Sequence, residues 1–136
     1  MAVTPNSIVT PQNPKAANAA LSTTANTNYT FPANTTLVVT AGTNGARLTK
    51  LKAIPAATVT ATQIQLFRST DGGTTKRFTN SALMAAYTMA QTTQVPQTDF
   101  GYSDLAPLVL APNEQLHVAA GVGGVQINVE AEWADY

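Results

Sequence analysis

No cysteine occurs anywhere in this chain, which excludes a disulfide framework, a thiolate metal site and a cysteine nucleophile. Histidine occurs once, so a multi-histidine metal centre is excluded as well. Charge is nearly as scarce: 10% of residues are charged, and seven basic side chains balance seven acidic ones. A nucleic-acid binder needs a basic stripe to neutralise phosphates, and a membrane-surface protein needs a polybasic patch. With neither present, no nucleic acid and no membrane is expected as a partner. No run approaches the ~20 apolar residues of a membrane span. The first twenty residues, MAVTPNSIVTPQNPKAANAA, lack the basic start and apolar centre of a signal peptide, so export by that route is not expected.

What remains is material for a core. Hydrophobic residues make up 44% of a chain of 136, enough for one domain that buries roughly two-thirds of its unfolded surface. About a third of the residues are Ala or Thr. Thr favours strands. A surface of Thr, Ala, Asn and Gln costs little to desolvate and suits contacts with copies or partners.

The clearest pattern is VQINVEAEW, residues 125–133. Val125, Ile127, Val129, Ala131 and Trp133 fall on one face, and Gln126, Asn128, Glu130 and Glu132 on the other. A period of two over nine residues predicts a strand with one face on a core and one in water. Further strands are predicted at Leu21–Thr30, Thr36–Ala41, Arg47–Ile54, Val59–Arg68, Thr75–Thr79, Thr98–Tyr102, Leu105–Leu110 and Gln115–Ala120. Asn44-Gly45, Asp71-Gly72-Gly73 and the GVGG of residues 121–124 read as hairpin turns. In Ser81–Gln91, Ala, Leu and Met favour helix, and either helix or strand fits there.

An internal echo supports two matching halves. Asn34-x-x-Leu37-x-Val39-x-Ala41-Gly42-x-x-Gly45 repeats in spacing as Asn113-x-x-Leu116-x-Val118-x-Ala120-Gly121-x-x-Gly124. The echo breaks at Lys50, which stands where the second copy has the inward Val129. Either a bulge or a strand end intervenes, or Lys50 faces a partner. The fold class that results is all-β, an antiparallel β-sandwich of jelly-roll or Greek-key type. Its domain spans residues 21–136. Residues 1–20, with Pro5, Pro11 and Pro14, read as an extended N-terminal arm rather than a core strand. Ile8 and Val9 are its burial anchors. Deleting the arm is expected to leave the fold intact.

Residues able to carry chemistry are few. Glu130 and Glu132 lie about 6.5–7 Å apart at Cα as i and i+2 of a strand, a spacing compatible with glycoside hydrolysis. On a solvent face, with no apolar pocket to raise one pKa, they read instead as a solvated or intersubunit pair. His117, set opposite Asn128 if residues 120 and 125 pair in a hairpin, reads as an outward surface or interface residue near Glu130. No Gly-x-Ser-x-Gly elbow occurs. The glycines at 121–124 precede a strand and lack the Lys-Ser/Thr of a phosphate cradle. Asp71-Gly72 lacks the ligand ladder of a calcium loop. Arg47, Lys50 and Lys52 form a small basic cluster that suits rim salt bridges. No catalytic residue, cofactor or metal is expected, and the chain does not read as an enzyme. The candidate interface residues are Ile8, Val9, Lys50, His117, Glu130 and Glu132.

Taken in order, LSTTANTNYT, VVTAGTNGARLTKLKAI, IQLFRSTDGG and LVLAPNEQLHVAAGVGGVQINVEAEW resemble small tailed-phage virion proteins of the head-decoration, or capsid-cement, type. The resemblance spans residues 21–133. It implies a β-sandwich, often a homotrimer, seated on the exterior of an icosahedral capsid and clamping neighbouring capsomers. The implied partners are the major capsid protein of a phage and further copies of the chain. The implied location is the virion, after synthesis in the host cytoplasm. The arm matches no motif of the family. A second class fits the same architecture: a sandwich that binds carbohydrate on a host surface or on a phage fibre, with Phe100 and Tyr102 as a small aromatic platform. A third is another virion part, such as a tail or connector protein.

Overall fold

A computed structural model describes residues 10–136. Among them lie nine strands and no helix: β1 (Asn13–Ala20), β2 (Thr36–Thr40), β3 (Ala46–Pro55), β4 (Thr62–Ser69), β5 (Arg77–Met84), β6 (Thr98–Asp99), β7 (Leu108–Leu110), β8 (Gln115–Ala120) and β9 (Ile127–Asp135). They form two antiparallel sheets. Sheet A runs β1-β9-β3-β6, with β7 also on the open side of β3, and sheet B runs β2-β8-β4-β5. Each sheet interleaves the two ends of the chain with its middle, which is the jelly-roll winding.

The core is the set of inward positions of both sheets. Leu48, Leu51, Val129 and Ala131 from sheet A meet Val39, Ile64, Leu66, Leu116 and Val118 from sheet B, all fully buried. The alternation of residues 125–133 holds: its apolar set, Trp133 included, is buried, while Gln126 and Asn128 are exposed.

Connectivity departs from the local reading. The segments flanking Asn44-Gly45 and residues 121–124 do not return as hairpins; β2 and β8 belong to sheet B, β3 and β9 to sheet A. Each Gly-flanked reversal is an arch from one sheet to the other. Such a crossing buries the apolar face of both its strands against each other, which a two-strand hairpin cannot do. The echo is nonetheless structural. Asn34 and Asn113 both have φ of 59°, and Gly45 and Gly124 both have positive φ. The two arches lie side by side, β2 paired with β8 and β3 with β9. At the point where the echo breaks, Thr49 is bulged between Leu48↔Trp133 and Lys50↔Glu132. The bulge moves Lys50 outward and puts Leu51 in the core.

Residues 13–20 correct the expectation of an arm. They form a full edge strand, from Asn13↔Asp135 to Ala20↔Asn128, and Leu21 N–H continues the ladder to Ile127 O at 2.9 Å. Pro14 is tolerated because the sheet ends at β1. Lys15, Ala17 and Ala19 share the inward register of Trp133, Ala131 and Val129. A deletion through residue 20 would therefore strip a partner from β9, and the fold is not expected to survive it unchanged. Ile8 and Val9 lie outside the described residues.

Residues 21–35, expected as a strand in part, instead cross from sheet A over the outer side of sheet B. Their asparagines bond locally and compete with a ladder. Asn28 Oδ1 accepts from Thr30 and Phe31 N–H at 2.9 and 3.0 Å, and Asn26 Oδ1 accepts from Ala33 N–H at 3.0 Å. The ambiguous segment is strand as far as Met84, because its alternation against β4 buries Met84 opposite Thr62.

Candidate interaction surfaces

With the sheets face to face, two outer faces remain for function, and they differ in chemistry. Sheet A is crossed by charge. On the rung Ala16–Glu132–Lys50, the Lys50 ammonium meets Glu132 at 3.0 Å. On the next, Asn18–Glu130–Lys52–Asp99, Lys52 meets Glu130 at 3.6 Å. Glu132 raises the Lys50 pKa by hydrogen bonding and charge. Lys50, Glu130 and Glu132 are thus brought together as cross-strand pairs in solvent, each worth little singly. Around them the outward side chains are small, with Pro14, Ala16, Asn18, Ala20, Asn128 and Ala134 in outward register.

His117 is not with them. The expected hairpin would have placed it near Glu130, but β8 belongs to the opposite sheet. There it lies between Leu37 and Phe67, only 7% exposed. Its Nε2 meets Gln115 Oε1 at 3.0 Å, beneath the β4–β5 turn. That turn is pinned by Asp71, whose Oδ1 accepts from Ser69 Oγ and Thr75 N–H, both at 2.8 Å. These bonds hold the Asp71 carboxyl down to about 2.

Burial, and secondarily Lys76, depress the His117 pKa. The folded state therefore resists protonation that the unfolded chain accepts near pH 6.5. Stability should be flat above about pH 7.5 and fall as pH drops through 6.5 toward the lower folded value. Urea midpoints from pH 8 to 5.5 check this, and His117→Gln should flatten the slope.

Sheet B presents the second face, and it is apolar. Of the eight large hydrophobic residues exposed among the described residues, six lie on this side: Tyr29, Phe31, Leu37, Phe78, Leu83 and Val122. Leu83 is 73% and Phe31 80% exposed. The alternation of β5 turns Leu83 outward, and the crossing segment brings Tyr29 onto Phe78 with ring centroids 4.5 Å apart. Phe78 in turn covers Phe67 at 5.5 Å. Beside them is an amide network: Asn26 Nδ2 donates to Gln65 Oε1 at 2.7 Å, and Tyr29 OH to Gln63 Oε1 at 2.6 Å. Sequence reasoning missed this face. Its signal was the outward Leu83 within a run that also suits a helix. Phe100 and Tyr102 are not the platform, since both are half-buried against the core.

No group of three or more His, Asp or Glu side chains among the described residues is arranged to hold a metal ion.

No protein-family model and no curated protein matches the chain. Among solved structures it is similar to one titled "Structure of Eiger TNF from S. frugiperda", at 11% identity and a TM-score of 0.47, over 93% of this chain and 96% of that one.

Proposed function

We propose that this chain is a structural virion protein that binds the exterior of an icosahedral phage capsid as a homotrimer and stabilises capsomer contacts. One observation supports the reading above all: the apolar face on sheet B, in a chain with so little charge. Six partly exposed apolar side chains gathered on one side make a patch at the upper end of the roughly 300–600 Å² seen on a monomer, a size that is often functional. A patch of this kind suits a site that a partner covers. Repetition by shell symmetry lets modest contacts add through avidity.

Light scattering followed by co-sedimentation with shells of the phage that encodes the chain tests the reading. A trimer that pellets with shells at a saturating stoichiometry is the expected result. Leu83→Asp, at a site where the fold has little at stake, should lower occupancy at least tenfold with an unchanged melting curve. Full occupancy by that variant would remove the apolar face from the account, and absence of shell binding by the native chain would end it.

A second reading has its own observation. Tyr29, Phe31 and Phe78 expose rings beside the amide of Gln63, a combination that suits stacking on sugars and bonding their hydroxyls. Glycan binding by a chain that ignores shells would favour it.

A further inference from the structure

Two cations of this neutral chain have no carboxylate to answer them. Of its seven basic side chains, Lys15, Lys50, Lys52 and Arg68 each meet a carboxylate. Arg47 is bonded to the carbonyl oxygen of Asp104. Lys76 and Arg77 remain, adjacent in sequence and with no ion-pair partner among the described residues. Arg77 also stands directly opposite Arg68 in the β4–β5 register, where like charges repel. Glu114 neutralises Arg68. Asp71, the carboxylate of the adjoining turn, has its Oδ1 engaged by Ser69 Oγ and Thr75 N–H. The fold thus holds two unanswered positive charges side by side.

Both line a depression of about 340 Å³. One wall is residues 30–32 of the crossing segment, and the other is residues 74–77, where the β4–β5 turn runs into β5. Phe31 brings a ring that is 80% exposed, with Pro32 beside it, and Thr30, Thr74 and Thr75 are the hydroxyl-bearing residues. Both walls are ordered by their own hydrogen bonds. Asn28 Oδ1 accepts from Thr30 and Phe31 N–H at 2.9 and 3.0 Å. Across from it, Gly73 N–H donates to Ser69 Oγ at 2.9 Å, and Thr75 N–H to Asp71 at 2.8 Å. Walls already fixed have little freedom to lose on binding. The volume lies at the lower end of the roughly 300–1,000 Å³ of small-ligand pockets.

We propose that this depression binds an acidic sugar, its ring lying on Phe31 and Pro32 and its carboxylate toward Lys76 and Arg77. Three kinds of group on these walls match three parts of such a ligand. The apolar C–H face of a pyranose covers an aromatic ring and removes its surface from water. Threonine hydroxyls both donate and accept, as sugar hydroxyls do. A guanidinium and an ammonium supply charge-assisted bonds to a carboxylate, the arginine in a planar fork. An acidic peptide would use the cations and leave the ring and hydroxyls without a role. The inference rests on the sugar-binding reading above and names the class of sugar and the place it occupies. It does not depend on the shell.

The test is a titration of the native, isotopically labelled chain followed by amide NMR shifts. The probes are methyl glucuronide and N-acetylneuraminic acid, with methyl glucoside as the same ring without a carboxylate. Acetate and a triglutamate peptide supply a carboxylate without the ring. The acidic sugars should move the amides of Thr30, Phe31 and residues 74–77, and bind at least tenfold more tightly than the other three probes. Phe31→Ala and Arg77→Gln should each weaken acidic-sugar binding at least tenfold, with Arg77→Gln also abolishing the preference over methyl glucoside. Thermal melts of both variants are the folding control, and the shift map of the native chain stands without them. Equal binding of glucoside and glucuronide would overturn the proposal and leave the sugar-binding reading in place. Failure of every sugar to bind would end both. Triglutamate bound as tightly as the acidic sugars would overturn the proposal in favour of an acidic protein surface.

Discussion

Replacing Arg68 with alanine is expected to lower the unfolding free energy by about 3–5 kcal/mol, the range for breaking a buried ion pair from one side. Glu114 is 2% exposed. Arg68 meets it with two donors, Nε to Oε2 and Nη2 to Oε1, the latter at 3.0 Å. The same Nη2 bonds Val109 O at 2.7 Å, so one guanidinium ties β4 to the turn before β8 and to β7. Glu114 also accepts from Ala111 N–H at 2.9 Å, and this single bond would be left to hold a buried carboxylate. Against a total of roughly 5–15 kcal/mol for a domain, the loss is a large fraction. Urea denaturation should show a midpoint lower by roughly 2 M with little change in slope. The double change Arg68→Met with Glu114→Leu should recover most of the loss, because the penalty comes from stranding one charge. A double variant no more stable than Arg68→Ala would show that the pair itself, and not the orphaned carboxylate, carries the stability.

Gly45→Ala should rank next, and its echo partner Gly124 supplies the control. Both glycines have positive φ, 89° and 74°, where an L side chain is strained by roughly 1–2 kcal/mol. Only Gly45 is crowded. A Cβ there would lie 2.6 Å from the backbone carbonyl oxygen of Leu110, whereas at Gly124 nothing lies within 4 Å. Since β7 is backbone and cannot swing aside, the arch or the strand must shift. Gly45→Ala is expected to cost about 3 kcal/mol or more, and Gly124→Ala about 1 kcal/mol. Thermal melts of the two variants decide the matter, and equal losses would mean that φ strain alone governs both positions.

This pair shows how far the echo could be read. Matching Asn and Gly positions at fixed spacing announced two like reversals, because positive φ is a demand that few residues meet. Where those reversals lead was not legible. A Gly-flanked turn between alternating strands looks the same whether it returns to its own sheet or crosses to the facing one; the difference lies in partners more than 60 residues away. His117 was misplaced for that reason, and by the same mistake the joined pair Lys50 and Glu132 was recognised only as two separate suggestions.

Residues 13–20 teach the converse. NPKAANAA has weak strand propensity and a proline, and it becomes a strand because β9 offers an open edge with the right register. Leu105 and Leu83 are ordinary apolar residues in the sequence, marked only by exposure once the chain is wound.

Composition and period two, by themselves, determined an all-β sandwich with Val125–Trp133 facing its core, and they removed thiolate and histidine-rich sites from consideration. These are properties of residue type and local alternation. The tertiary structure alone decided that sheet A would be small and charge-paired outside and sheet B apolar. Which strands become neighbours, and which edges stay open, depends on contacts between distant segments, and the functional surfaces are made from those.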